Sequence, residues 1–323
     1  MRYLITLTPL EPYFFGNNST IENTKIKNGY YILNSNYFPQ QTTFLGTLRK
    51  ALIEAIKDYK KAREVVGGSK FFIKSKDDKK LDFGAINSIS NLFIIKENEF
   101  FIPLRDIFSF KIQKEEEYFV KGYNYPKKIE VKLFNLEFTK SLRVPDVFKE
   151  IKILNSTKKE NIFFKKTLIK MEEGFSFGYI VDYEGDLNML NNRVVFFGGE
   201  KSKFLIQVTQ KFNLNNYIPK LKEKISQVTT EKYIYLLNDS YININIKKHC
   251  DFAITLEVPF RYISHFNQRH YFKSKQFYFY EKGGLFLNYD ENLKKALNKE
   301  YLQQVGYNLF IISEGKNDNN LFT

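Results

Sequence analysis

The chain has 323 residues, 43% of them hydrophobic, a length and composition that suit two medium domains or one large one and supply ample material for a packed core. No apolar run reaches the roughly 18 residues that span a bilayer, so no membrane segment is expected. Residues 1–10 alternate like a strand and show no small-residue cleavage site, and the single cysteine, Cys250, allows no internal disulfide; both point to the cytoplasm. The formal net charge is +14 and the pI about 9.4, which favours a polyanionic partner through counterion release. An AT-rich coding bias, visible in the abundance of Lys, Asn, Ile, Tyr and Phe, is the competing explanation.

Residues 2–8 alternate as a strand, and Pro9 and Pro12 break it ahead of the segment Tyr13-Phe14-Phe15-Gly16. Apolar positions Phe44, Leu45, Leu48, Ala51, Leu52, Ala55, Ile56 and Tyr59 recur at threes and fours and predict a helix over 43–62. Residues 64–99, mixed and basic, read as a long, partly ordered insertion. Short strands are expected at 99–103, 107–112, 117–121 and 129–138. The densest basic run, Lys158 to Lys170 with Phe163 and Phe164 inside it, has the pattern of an exposed hairpin or loop.

Strands are expected again at 175–182, 193–197 and 203–212, with Gly198-Gly199 interrupting. A helix at 216–227, strands at 232–237, 252–264 and 276–281, a helix at 290–302 and a strand at 307–312 complete the chain. From residue 203 this is the βαββαβ order of a ferredoxin-like domain, and the first half reads as a decorated copy. The expected fold is therefore α+β: two tandem ferredoxin-like, RRM-like domains, 1–200 with long insertions and 201–323.

Catalytic signatures are sparse. The three histidines, His249, His265 and His270, have no regular metal-ligand spacing, and His249-Cys250-Asp251 would point to opposite faces of a strand. No metal site, nucleophile elbow or phosphate-binding P-loop is present, and no cofactor is expected. His265 and His270, with Tyr271 and Lys273, offer the groups a metal-independent ribonuclease would need; a surface or RNA-facing histidine is the simpler reading.

Three segments suit RNA instead. Gln40, Gln41, Thr42 and Thr43 precede or open the first helix, whose N–H groups suit phosphate, and Arg49 lies two turns in. Arg193, Lys201 and Lys203 bracket Gly198 and Gly199, where backbone can approach a ligand closely. Arg269, His270, Tyr271 and Lys273 alternate cations with aromatics, the usual grip on single-stranded RNA. Each has a plainer reading: a helix cap, a hairpin turn, or a strand with core aromatics and solvated lysines.

Several of these segments together resemble one family. Thr8-Pro9-Leu10-Glu11-Pro12-Tyr13-Phe14-Phe15-Gly16 is similar to the opening of the Cmr subunit-three family of type III-B CRISPR effector complexes. Phe38 to Arg49 resembles its Pro-x-x-Thr-x-x-Gly-x-Leu-Arg segment, and Phe197 to Phe204 its glycine-rich loop. Gln268 to Gly284, with Phe277-Tyr278-Phe279-Tyr280, resembles its aromatic C-terminal strand, and Gly306-Tyr307-Asn308 its closing turn. This chain departs from the family in having Lys273-Ser274-Lys275 where small residues are usual, and in ending the last turn on Asn308. The resemblance implies a RAMP-superfamily protein without catalytic activity. It implies partners too: the 5′ repeat-derived tag of the guide RNA, the large polymerase-like subunit and other RAMP subunits. A type III-A sister subunit has the same role, and the Pro-Leu-Glu-Pro opening favours III-B. A RAMP-type endoribonuclease processing guide precursor is the alternative.

Overall fold

A computed structural model describes residues 1–16, 30–68, 81–97, 99–101, 144–157, 162–198, 201–210, 232–255, 257–260 and 277–314. In chain order its elements begin with β1 (Arg2–Pro9), β2 (Phe15–Gly16), β3 (Tyr30–Asn36), α1 (Gln41–Ala55), α2 (Tyr59–Val66), β4 (Ile86–Ile89), β5 (Phe93–Lys96) and β6 (Glu99–Phe101). Then come α3 (Val144–Val147), β7 (Phe148–Thr157), β8 (Ile162–Met171), β9 (Phe175–Tyr183), β10 (Arg193–Phe197) and β11 (Ser202–Gln210). The last are β12 (Tyr233–Leu236), β13 (Phe252–Ile254), β14 (Glu257–Phe260), β15 (Phe277–Tyr280), β16 (Leu285–Leu287), α4 (Glu291–Leu297), α5 (Glu300–Gln303) and β17 (Phe310–Ser313).

The first sheet is built around β1. Tyr3, Ile5 and Leu7 are buried while Thr6 and Thr8 are half-buried, the period of two that puts one set on the core face. The strand order is β10-β11-β1-β9-β5-β6, with β4 also on β9, and every pairing is antiparallel. A second sheet, β2-β3-β8-β7, lies on the core face of the first. Aromatic side chains join the two layers: Phe148 to Phe177 with centroids 6.3 Å apart, Tyr13 to Phe204 at 5.6 Å, and Phe15 to Phe197 at 5.1 Å. Each such ring, fully buried, contributes about 1.5–3 kcal/mol of transfer free energy.

α1 packs on the same core through Phe44, Leu45, Leu48, Ala51 and Leu52, the residues whose spacing predicts it. Phe44 stacks on Tyr179 of β9 at 3.7 Å. The expected single helix over 43–62 is two helices. The break falls at Ile56–Asp58, because Asp58 accepts from the N–H groups of Lys60 and Lys61 and so starts α2 afresh. The ordered part of the stretch 64–99, expected as an insertion, includes β4 and β5, which are strands of the first sheet.

The third sheet is β13-β16-β12-β17, antiparallel throughout, with α4 packed on it through Leu293, Ala296 and Leu297 against Ile234, Leu236 and Phe286. β14 and β15 extend its β13–β16 pairing as a two-stranded ribbon. The expected helix 290–302 is again two, with Asp290 capping α4 at Leu293 N. The strand expected at 203–212 is β11, and it pairs with β1 and β10 rather than opening the third sheet. The expected boundary at 200/201 therefore falls inside the β10–β11 hairpin. The strands expected at 107–112, 117–121 and 129–138 and the helix at 216–227 lie outside the described residues.

Tyr301, Leu302, Val305 and Tyr307 join the core of the first sheet and couple the two halves. Gln304 makes the link specific. Its Oε1 accepts from Leu81 N at 2.8 Å and its Nε2 donates to Leu81 O at 2.9 Å, while Ile89 N donates to the Gln304 carbonyl at 2.8 Å.

Candidate nucleic-acid interface

The start of α1 faces protein. Gln40 is its extended N-cap residue and makes no side-chain cap. The N–H groups of Thr43 and Phe44 donate to the Gln40 carbonyl at 3.0 and 3.2 Å. Gln41 is buried, and the turn at Gly306-Tyr307 lies over it: a Cβ on Gly306 would come within 3.1 Å of Gln41 Cδ. Burial pushes the Tyr307 phenol above its ordinary value. The Thr42 side chain and the N–H groups of Thr42 and Gln41, which lie near that hydroxyl, offset part of the rise. Of the donors expected to meet phosphate, the Thr43 N–H is thus turned to the Gln40 carbonyl, and those of Gln41 and Thr42 lie near Tyr307.

Arg49 also points inward. Its Nη2 donates to the Gly67 carbonyl at 2.8 Å, and its guanidinium lies 5.6 Å from the centroid of the Phe83 ring. Burial lowers its pKa and Asp82 opposes that. Asp82 in turn is held below the usual carboxylate range by the N–H of Gly84 at 2.9 Å and the N–H of Gly68 at 3.3 Å, with Arg49 adding to them.

The β10–β11 hairpin keeps its cations outward. Arg193 is exposed, with Nε donating to the Met189 carbonyl at 2.8 Å. Gly198 has φ +91°, and a Cβ there would lie 2.8 Å from the Phe14 carbonyl oxygen. This glycine is fixed by the close approach of the 10–16 loop. Lys201 takes φ +56° in the turn, and its N–H donates to the Gly198 carbonyl at 3.4 Å. Lys203 N donates to Glu11 Oε1 at 2.8 Å and the Lys203 carbonyl accepts from Leu10 N at 2.9 Å, which ties the backbone down and leaves the side chain exposed.

On the other side of the same loop, Lys166 of β8 sits 4.8 Å from the centroid of the Phe14 ring. Lys166, Lys201 and Lys203 thus stand around one loop, residues 10–16. Lys166 is the member that sequence reasoning missed; it belongs to the dense basic run, but only the pairing of β8 with Tyr13 places it here. Gly199, Arg269, His270, Tyr271 and Lys273 lie outside the described residues.

Among the described residues no group of three or more His, Cys, Asp or Glu could hold a metal ion. His249 Nδ1 is 2.8 Å from Asp290 Oδ2, at the start of α4. The Cys250 thiol is pushed up to about 12 by burial first, then by Asp251 and Asp290, so it is not a nucleophile at neutral pH. Among the described residues no helix is long and apolar enough to cross a membrane.

Residues 5–153 match the family model described as CRISPR-associated protein (Cas_Cmr3). Over that stretch, a little under half of its length, the chain is similar to this family. No curated protein sequence matches it. Its fold is similar to a chain in the cryo-EM structure of Type III-B Cmr-beta bound to cognate target RNA, with 15% identity, 96% of each chain covered and a TM-score of 0.54. A chain of the same assembly bound to target RNA and AMPPnP, in its state 1, gives 14%, 96% of each chain and 0.52. The family match takes in β1 to the middle of β7, and the fold likeness continues through the third sheet.

Proposed function

We propose that this chain is a non-catalytic subunit of a type III-B CRISPR effector complex. It holds the 5′ repeat-derived tag of the guide RNA and docks the large polymerase-like subunit. The observation that carries the reading is the family match over residues 5–153. The solved structures of similar fold come from a Cmr assembly bound to RNA, which accords with it. The cations that fit the role are Lys166 and Lys203, borne on strands, and Lys201 in the hairpin turn, all exposed or half-exposed around the 10–16 loop. Strands hold such charges in fixed register, and phosphate contacts set position rather than sequence.

The reading includes the architecture. In the first sheet, β11-β1-β9-β5 places the first strand between the last and the third; β17-β12-β16-β13 does the same in the third sheet. That is the strand order of a ferredoxin-like βαββαβ unit. Each sheet keeps a different helix: α1 follows the first strand in one, and α4 and α5 precede the last strand in the other. A 3₁₀ turn stands at the alternative position, Asn188–Leu190 in the first and Ile246–Lys248 in the second. The boundary then lies between β11 and β12.

The test is loading of tag RNA by the purified chain and by its complex. Tag-bearing guide RNA that binds no better than an unrelated single strand of equal length would sink the tag assignment.

A further inference from the structure

We propose that Phe196 is a stacking platform for a base of single-stranded RNA, with Lys203 and Lys50 placed to hold phosphates on either side. This rests on the RNA-holding reading above and extends it from the turn to the outer face of the β10–β11 hairpin. β10 alternates strictly: Val195 and Phe197 are buried, whereas Val194 and Phe196 are 56% and 47% exposed. Phe197 does the structural work of the pair, packing on Phe15 and Phe204 with centroids 5.1 Å away in each case. The core does not need the Phe196 ring. Among the described residues, Phe196 and Tyr278 are the two aromatic side chains with large exposure.

The charges beside the ring point to its occupant. Lys203, exposed, is the direct cross-strand partner of Phe196, and side chains so opposed stand about 4.5–5.5 Å apart at Cβ. α1 brings Lys50 Nζ over the ring, 5.5 Å from its centroid. The half-exposed ring thus has two cations beside it, from different elements. Lys50 also has Glu54 at 3.6 Å, an exposed pair of the kind that contributes little and that a phosphate can displace. A ring flanked by cations matches the chemistry of a single strand, a π-face for the base and positive charge for the backbone. A protein partner docking on Val194 and Phe196 is the rival occupant, and it would not need those cations.

The experiment measures binding by the full chain of two oligonucleotides of equal length, oligouridine and an abasic phosphate–sugar strand, by fluorescence anisotropy. Phe196→Leu is expected to weaken oligouridine binding roughly tenfold and leave abasic binding unchanged, while Phe196→Tyr retains both. Lys203→Ala should weaken both strands, and Glu54→Gln should tighten both slightly. All variants should melt like the parent, since the ring is half exposed. If Phe196→Leu binds oligouridine normally while Lys203→Ala does not, the platform is refuted and the RNA-holding reading stands. If neither variant changes binding, this surface fails for both. Equal loss on both strands would mean Phe196 only shapes the hairpin, and a loss confined to assembly with the large subunit would assign the ring to a protein; either result overturns the proposal.

Discussion

Arg49 of α1 donates from Nη2 to the Gly67 carbonyl at 2.8 Å and so ties the first helix to the end of the second. Its guanidinium also lies near the Phe83 ring and the Asp82 carboxylate. A hydrogen bond from a charged donor is worth about 1.5–3 kcal/mol. Arg49→Ala should therefore lower the melting temperature by several degrees while the folded fraction binds RNA normally. Arg49→Lys should not restore it, because an ammonium lacks the planar fork. Melting and RNA binding measured on one preparation decide the matter; unchanged melting with poor RNA loading would return Arg49 to the interface.

Asp82 gives this brace a pH dependence of known sign. Its folded-state pKa is depressed, chiefly by the N–H of Gly84 and then by that of Gly68. A depressed carboxylate adds stability above its unfolded pKa and loses it as pH falls through the folded value. Asp82→Asn should melt below the parent at pH 7. The gap should narrow below about pH 4, the ordinary aspartate value, and close at lower pH. A gap constant from pH 7 to pH 3 would mean that the carboxylate charge is irrelevant to the turn.

Gly306 packs closely against the first half of the chain. It has φ +86°, and a Cβ there would lie 2.5 Å from the Ser90 carbonyl oxygen and 3.0 Å from that of Ile89. Neither is the end of a flexible side chain, so the backbone must shift. Gly306→Ala should cost on the order of 2 kcal/mol or more, read as a lower midpoint in urea. Because the same turn carries Tyr307 over the start of α1, hydrogen exchange at Thr42 and Thr43 should accelerate in the variant.

What the sequence disclosed and what it hid follow from the range of the interactions. β1, β9 and β10 are legible because alternation is local, and α1 because its apolar face recurs at threes and fours. β16 is hidden: Leu285, Phe286 and Leu287 are all buried, and three apolar residues after two glycines carry no period. The partners of the candidate residues are set by tertiary packing. Nothing near Thr42 announces Tyr307, and nothing near Arg49 announces Gly67. The expected phosphate-binding helix start is therefore internal, while the hairpin lysines, flanked by alternating core residues, stand outside as their pattern predicts.

The purified chain is expected to leave RNA uncut. The described histidine, His249, is engaged by Asp290 at 2.8 Å, and the one thiol is held protonated well above neutral pH. Incubation with repeat-derived RNA in a chelator should return intact RNA. Cleavage that disappears in His265→Ala or His270→Ala would show the endoribonuclease reading to be right.

The salt dependence of RNA binding separates a working positive surface from coding bias. Each phosphate neutralised on a single strand contributes about −0.7 to the slope of log affinity against log salt. If Lys166, Lys201 and Lys203 all touch phosphate, the three together give a slope near −2, before any contribution from residues such as Lys50. Removing one such lysine should reduce the slope by roughly one contact's share and weaken binding about equally for all sequences. Lysines scattered by composition alone would behave differently: Lys201→Ala and Lys203→Ala would leave the slope where it was, as would a control such as Lys57→Ala in the break between α1 and α2. The measurement needs only the chain, one oligonucleotide and a salt series. An unchanged slope in both hairpin variants would remove Lys201 and Lys203 from the RNA path whatever the family does elsewhere.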